Sequence, residues 1–145
     1  MKNGFKMRND NAIASIIGVV ILLAVGVFII FLMNGTKTEA TVKVNENIIT
    51  ITGQYGTNIN ISNITKISLE ESIPPIGTKV NGAGLGDIKK GDYMVEGMGK
   101  CRLFLHAPQG PFIVIDTVDG YVIINFNNQD RTEDVFLDLQ NHLYD

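Results

Sequence analysis

The sequence predicts a mainly β domain that follows one membrane-spanning helix and ends in a short amphipathic helix. Three patterns in the 145-residue chain lead to this fold class. One apolar run, Ala12 to Met33, carries no charged side chain and is long enough for a helix to cross the ~30 Å hydrocarbon core of a bilayer. Apolar and polar residues then alternate in several short segments between residues 41 and 126, which is typical of half-buried strands. Residues 129–143 have the apolar spacing of an amphipathic helix.

The apolar run is interpreted as a retained membrane anchor. It is longer than the roughly 7–15 apolar residues of a secretory signal, and Asn34-Gly35-Thr36 after it does not form a small-residue cleavage site. Three basic residues precede the run and two follow it closely. This small excess of positive charge predicts the N-terminus inside and the domain outside the cell. We therefore expect a single-pass protein of the cell membrane.

The chain divides, on this interpretation, into a basic head, an anchor, a linker and one β domain with its helix. Their bounds are residues 1–11, 12–33, 34–40 and 41–145, with the C-terminal helix at about 129–143. The domain is predicted to hold about seven antiparallel strands in a bent sheet or open barrel that the helix caps.

Two loop predictions accompany this fold. Glu70 to Lys90 is predicted as a long loop, because Pro74-Pro75 cannot lie in an inner strand and glycines follow in quick succession. Asp119-Gly120, between two β-branched runs, predicts a type I′ hairpin turn.

Charge and cysteine content exclude several classes of function. The net charge is −3 although the first ten residues are basic, so the domain itself is acidic and is a poor candidate for nucleic acid. The single cysteine, Cys101, excludes an intrachain disulfide and a zinc site built on several sulfur ligands. It alternates with Leu103 and Leu105, which predicts a buried thiol. His106 and His142 are expected at the surface, and neither a metal nor a cofactor is expected.

Residues 50–140 resemble a bacterial PH-like (pleckstrin-homology-like) domain family found in membrane-anchored proteins. The segments that carry the resemblance are Ile51–Gly56, Ile59–Ile64, Ile76–Gly82, Gly86, Gly91, Val95–Leu105, Pro111–Ile113 and Ile123–Phe126. The resemblance implies a PH-like sheet with one C-terminal helix, transmembrane anchoring and no assigned enzymatic activity.

Five basic residues on and just after the predicted long loop form a candidate ligand site. They are Lys79, Lys89, Lys90, Lys100 and Arg102. PH folds that bind inositol phosphates use basic loops, so the resemblance implies an anionic lipid headgroup as one ligand. The acidic domain and the nearby Glu70, Glu71 and Asp87 disfavour that ligand.

A second resemblance lies at the N-terminus. Residues Arg8 to Val20, RNDNAIASIIGVV, are similar to the start of archaeal type IV pilin-like proteins, in which a polar head precedes an apolar helix that packs into a filament core.

The sequence thus favours a non-enzymatic, membrane-anchored binding or assembly module with a protein partner, because PH-like sheets offer strand edges to peptides. The alternatives are a pilin-like surface subunit assembled through its N-terminal helix and an anionic-lipid headgroup binder.

Overall fold

The computed structural model describes residues 4–144, and side chains from residue 11 onward. The chain divides into two compact units, residues 1–34 and residues 35–145. The predicted class is confirmed: an apolar N-terminal helix is followed by a mainly β domain and a C-terminal helix.

The first helix, α1, spans Gly4–Lys37. Its part from Asn11 to Lys37 is long and apolar enough to cross a membrane. The predicted span 12–33 lies within it, and the helix continues four residues further. Apolar side chains along α1 are exposed, up to 72% at Leu22 and Phe31. An apolar surface of this extent requires a covering of lipid or of another protein.

In the described part of the chain, nine strands, rather than about seven, form two separate sheets, and these sheets do not close into a barrel. The three-stranded sheet has the order β1-β2-β3 and the six-stranded sheet the order β4-β8-β9-β7-β6-β5. The strands are β1 Thr41–Asn45, β2 Ile48–Thr52, β3 Thr57–Asn60, β4 Ile64–Glu70, β5 Ile76–Leu85, β6 Ile88–Val95, β7 Gly99–Leu105, β8 Phe112–Thr117 and β9 Gly120–Ile124. A 3₁₀ turn, Ile61–Asn63, joins the two sheets.

One strand pair departs from the expected antiparallel arrangement. β9 lies between β7 and β8, antiparallel to β8 and parallel to β7. After β7 the chain continues past the position of β9 and forms β8. It then turns back and forms β9 between these two strands. Asn125, directly after β9, holds this arrangement, because its side chain bonds the loop that links β7 to β8.

The predicted loop from Glu70 to Lys90 is wrong over most of its length, since β5 and the start of β6 lie within it. The glycines there serve close packing. A Cβ on Gly82 would overlap the main-chain oxygen of Lys90, and one on Gly91 would overlap that of Asn81. Glycine therefore allows the two strands of this hairpin to approach each other.

The six-stranded sheet is packed on both faces. Its inner face packs on the three-stranded sheet and the C-terminal helix through a cluster that includes Ile49, Ile51, Phe104, Ile113 and Leu139. The outer face carries a second cluster, which contains Cys101 and Leu103 and is covered in part by Ile73, Ile76 and Met98. Strand alternation thus assigns neighbouring β7 residues to two different cores.

The C-terminal helix α2, Gln129–Tyr144, agrees with the predicted range. It contacts β1, β4 and β8, and Leu139 is its fully buried apolar residue. The β8–β9 hairpin is confirmed, but its type I′ turn is wrong. Thr117 pairs with Gly120, so the two turn residues are Val118 and Asp119, and positive φ occurs only after them, at Gly120 (128°).

Candidate functional site

A polar cleft of about 250 Å³ lies between the edge of the three-stranded sheet and the inner face of the six-stranded sheet. Segments far apart in sequence build it. Its lining residues are Thr57, Asn58, Ile59, Asn60, Asn63, Asp92, Lys100, Arg102, Thr117, Asp119, Gly120, Tyr121 and Val122.

The free edge of β3 forms one wall. Four consecutive β3 residues, Thr57 to Asn60, line the cleft. Because the side chains of a strand alternate between two faces, main-chain atoms of β3 must form part of this lining. β2 pairs with the other edge of the strand. Just beyond the strand, the Ile61 amide donates to the Asn47 carbonyl 2.9 Å away. In the antiparallel alternation, the main-chain groups of Asn58 and Asn60 therefore point to the unpaired edge.

The opposite wall carries a tight ion pair. Nε of Arg102 lies 2.7 Å from Oδ1 of Asp92, and an Nη lies 3.0 Å from Oδ2. β6 and β7 place these residues directly opposite each other. The hydrogen bonds from Arg102 hold the pKa of Asp92 below its usual value, and the same bonds raise the pKa of Arg102. The pair is therefore a rigid, locally neutral feature of the wall.

Lys100 supplies a second cation beside this pair, and its charge helps to lower the pKa of Asp92. It is exposed and lies on the same face of β7 as Arg102, two residues closer to the start of the strand. No ion pair of Lys100 within 4.0 Å occurs among the residues that the structure describes. Exposed Asp119 lies at this end of the cleft. Tyr121 also borders the cleft, but its side chain packs with the outer cluster of the sheet. The site thus offers main-chain hydrogen bonds, one ammonium without an ion pair among the described residues and one exposed carboxylate.

The five basic residues singled out from the sequence do not form one cluster. Lys100 and Arg102 line the polar cleft. Lys79 is exposed on β5, an edge strand of the six-stranded sheet. Lys89 lies in a second groove, of about 330 Å³, between the β4–β5 and β7–β8 connections. Lys90 is 1% exposed.

Buried Lys90 bonds to the main chain at the end of α1. Its Nζ donates to the main-chain oxygens of Gly35 (3.4 Å) and Thr38, where α1 ends and carbonyl groups lack intrahelical partners. Burial lowers the pKa of Lys90, and the carboxylate of Glu39 opposes this shift. The residue holds the chain that follows α1, and its ammonium is not available at the surface.

His106 lies in the same neighbourhood and is 3% exposed, so its predicted surface position is wrong. It comes directly after the end of β7, two residues beyond Phe104 of the inner face. Neither ring nitrogen has a hydrogen-bond partner. Burial lowers the pKa of His106, and the ammonium of Lys90 and the guanidinium of Arg131 act in the same direction, against Glu39. Glu39 itself pairs with Arg131 and accepts a bond from the Asn127 amide.

Cys101 is fully buried, as its alternation predicts. Burial raises the pKa of the thiol to about 11, which disfavours the reactive thiolate. Within residues 4–144, no group of three or more His, Cys, Asp or Glu side chains has an arrangement that could hold a metal ion.

No family model, curated protein or solved structure matches this chain. The resemblances to PH-like and pilin-like proteins therefore stay predictions from the sequence.

Most of the cleft was missed by sequence reasoning. Its β3 wall and Asp92 have no local motif, and Tyr121 reads as an ordinary strand residue. One pattern could have indicated part of the site: Lys100, Arg102 and Phe104 alternate with the apolar residues of β7, which places both basic groups on one face.

Proposed function

We propose that this chain is a single-pass membrane protein whose β domain is a non-enzymatic binding or assembly module for a protein partner. The observation that carries the proposal is the polar cleft along the free β3 edge, in a chain with a helix able to span a membrane. Unpaired main-chain groups at a sheet edge are a common means of recognising polypeptide.

The exposed apolar side chains of α1 support anchoring in the cell membrane. The excess of positive charge before the helix supports an inside N-terminus and an outside domain. A direct test expresses the full-length chain and treats intact cells and lysates with a protease. We expect the protein in the membrane pellet after alkaline extraction, with its domain cleaved in intact cells. Release into the soluble fraction would contradict anchoring, and cleavage only in lysates would reverse the orientation.

Binding through the cleft is tested by site-specific photo-crosslinking in cells that express the full-length chain. A photoreactive residue replaces Asp119, which is exposed at the cleft, or Glu133, which is exposed on α2 and serves as the matched control. We expect a discrete protein adduct from position 119 that is absent from position 133. The same adducts from both positions, or substrate turnover by the full-length protein that Lys100→Ala abolishes, would contradict the proposal.

A pilin-like subunit is a second candidate, favoured by the length of α1. Its 34 residues extend over about 51 Å, well beyond a ~30 Å hydrocarbon core, and other copies could cover its apolar surface. Mass spectrometry of the intact protein distinguishes this candidate. Cleavage near Asp10 supports it, and an unprocessed N-terminus opposes it.

The lipid-headgroup alternative gains little support from the placement of the basic residues. Lys90 is buried, Arg102 is paired with Asp92, and Lys79, Lys89 and Lys100 lie at three different places. Titration of the full-length protein in neutral nanodiscs with anionic liposomes at low salt tests it, and absence of binding removes it.

A further inference from the structure

We infer that the partner binds as an extended peptide that adds a fourth strand to β3, with a carboxylate side chain opposite Lys100. This inference rests on the proposed function and specifies the surface and the chemistry of the partner. It follows from a comparison of the four sheet edges, from the geometry of β3 and from the charges of the cleft.

Three of the four edges carry features that oppose pairing with another strand. β1 exposes Lys43. β4 exposes Lys66, next to a register shift. β5 exposes Lys79, with register shifts on both sides of it. Lysines and bulges on edge strands are the usual protection against unwanted pairing.

β3 has none of these features. Its sequence, Thr57-Asn58-Ile59-Asn60, contains no charge or proline, and its four residue pairs with β2 are in regular register. Its outer edge offers the main-chain groups of Asn58 and Asn60, and the cleft lies along it. An unprotected edge beside an open cleft fits an extended chain about four residues long, or roughly 13 Å.

The charges of the opposite wall define the side chain that the peptide carries. Arg102 and Asp92 are bonded to each other, and Asp119 adds a carboxylate at the exposed β8–β9 turn. Lys100, which acts on Asp92 electrostatically but forms no ion pair with it, is the cation left for a ligand on that wall. A Glu or Asp of the peptide would pair with it. The remaining lining is mostly amide, hydroxyl and main-chain surface, which suits polar or β-branched residues.

The test is a selection of random twelve-residue peptides against the full-length protein in nanodiscs, followed by affinity measurement with the selected peptides. We expect peptides that share an acidic residue at a fixed position. Lys100→Glu should weaken their binding by about tenfold or more, because attraction becomes repulsion. Lys79→Glu, the same charge change on another edge strand, is the matched control and should leave affinity unchanged.

Hydrogen exchange places the peptide. Bound peptide should slow exchange of the Asn58 and Asn60 amides, whereas the Ile59 amide, directed at β2, changes little. Asn58→Pro removes one outward donor and should weaken binding by at least about tenfold. Lys100→Glu keeps the test valid if the proline variant does not fold.

The outcomes separate this inference from the proposed function. No enriched peptides, or binding that Lys100→Glu leaves unchanged, overturns the inference. Protection on another strand also overturns it but leaves a peptide-binding module. Binding of saccharides on a glycan array, with no peptide selected, overturns both.

Discussion

Replacing Asn125 with alanine should destabilise the β domain by about 2–4 kcal/mol. The Asn125 side chain is 1% exposed and makes four hydrogen bonds to the β7–β8 loop. Its Oδ1 accepts from the amides of His106 (2.8 Å) and Ala107 (3.2 Å). Its Nδ2 donates to the carbonyls of Ala107 (3.0 Å) and Gln109 (3.1 Å).

The magnitude follows from which partners water can reach after truncation. An unsatisfied buried polar group costs about 1–3 kcal/mol. The His106 amide is buried, Ala107 is half-buried and Gln109 is exposed, so one or two of the four groups stay unsatisfied. The small cavity left by the amide adds to this cost. For a domain of this size, a loss of stability of about 2–4 kcal/mol corresponds to a fall in Tm of roughly 8–20 °C.

The assay is urea and thermal unfolding of the full-length protein in nonionic detergent, followed by far-UV circular dichroism. Asn127→Ala, at an exposed position two residues away, is the matched control and should change stability by less than about 0.5 kcal/mol. Equal unfolding midpoints for the two variants would refute the assignment of Asn125 as the residue that holds the loop.

Three further predictions concern buried groups and close backbone contacts. Burial lowers the pKa of His106 below its ordinary value of 6.5, so the unfolded chain binds a proton that the folded domain does not. The free energy of unfolding should therefore fall as pH drops below about 6.5, by up to about 1.4 kcal/mol per pH unit. His106→Leu should flatten this pH dependence, while His142→Gln, at an exposed position, should preserve it. Equal pH dependence in all three proteins would contradict the reasoning. Cys101, with its pKa raised to about 11, should react with a disulfide reagent at pH 8 only after unfolding, and rapid labelling of the native protein would show an accessible thiol. Gly82→Ala should lower the free energy of unfolding by at least about 2 kcal/mol, because the new Cβ overlaps a main-chain oxygen of β6. Gly77→Ala is the control on the same strand: its Cβ would lie 3.4 Å from its nearest neighbour, and the loss should be less than about 1 kcal/mol. Similar unfolding midpoints for the two variants would refute the packing role of Gly82.

Patterns of local sequence predicted the fold class and many of its elements. The alternation of Ile49 and Ile51 with threonines predicted β2, and the apolar spacing of residues 129–143 predicted α2 to within one residue. Both patterns report burial on one face, which depends only on neighbours along the chain. β5 was missed because Gly82 and Gly84 indicate a loop, although here Gly82 allows close contact with β6 and a Cβ on Gly84 would lie 3.2 Å from the Tyr93 hydroxyl.

The arrangement of the strands and the site depends on contacts that are distant in sequence. The parallel pairing of β7 with β9 has no local pattern, since β8 intervenes in the chain. The cleft joins residues near 57–63, 92–102 and 117–122, so its lining follows only from the sheet order. The burial of His106 could have been inferred from its alternation with Phe104. Its charged neighbours and the lack of hydrogen-bond partners for its ring nitrogens could not have been inferred from the sequence.

The position of β9 between two strands that precede it in the chain constrains the route by which the domain assembles. β7 and β8 cannot first pair with each other and then admit a strand without breaking that pairing. A two-residue turn joins β8 to β9, and such hairpins form within microseconds. We therefore expect β8 and β9 to dock on β7 as a preformed unit, and the pairing of β4 with β8, which spans more than forty residues of chain, to form late and to limit the folding rate.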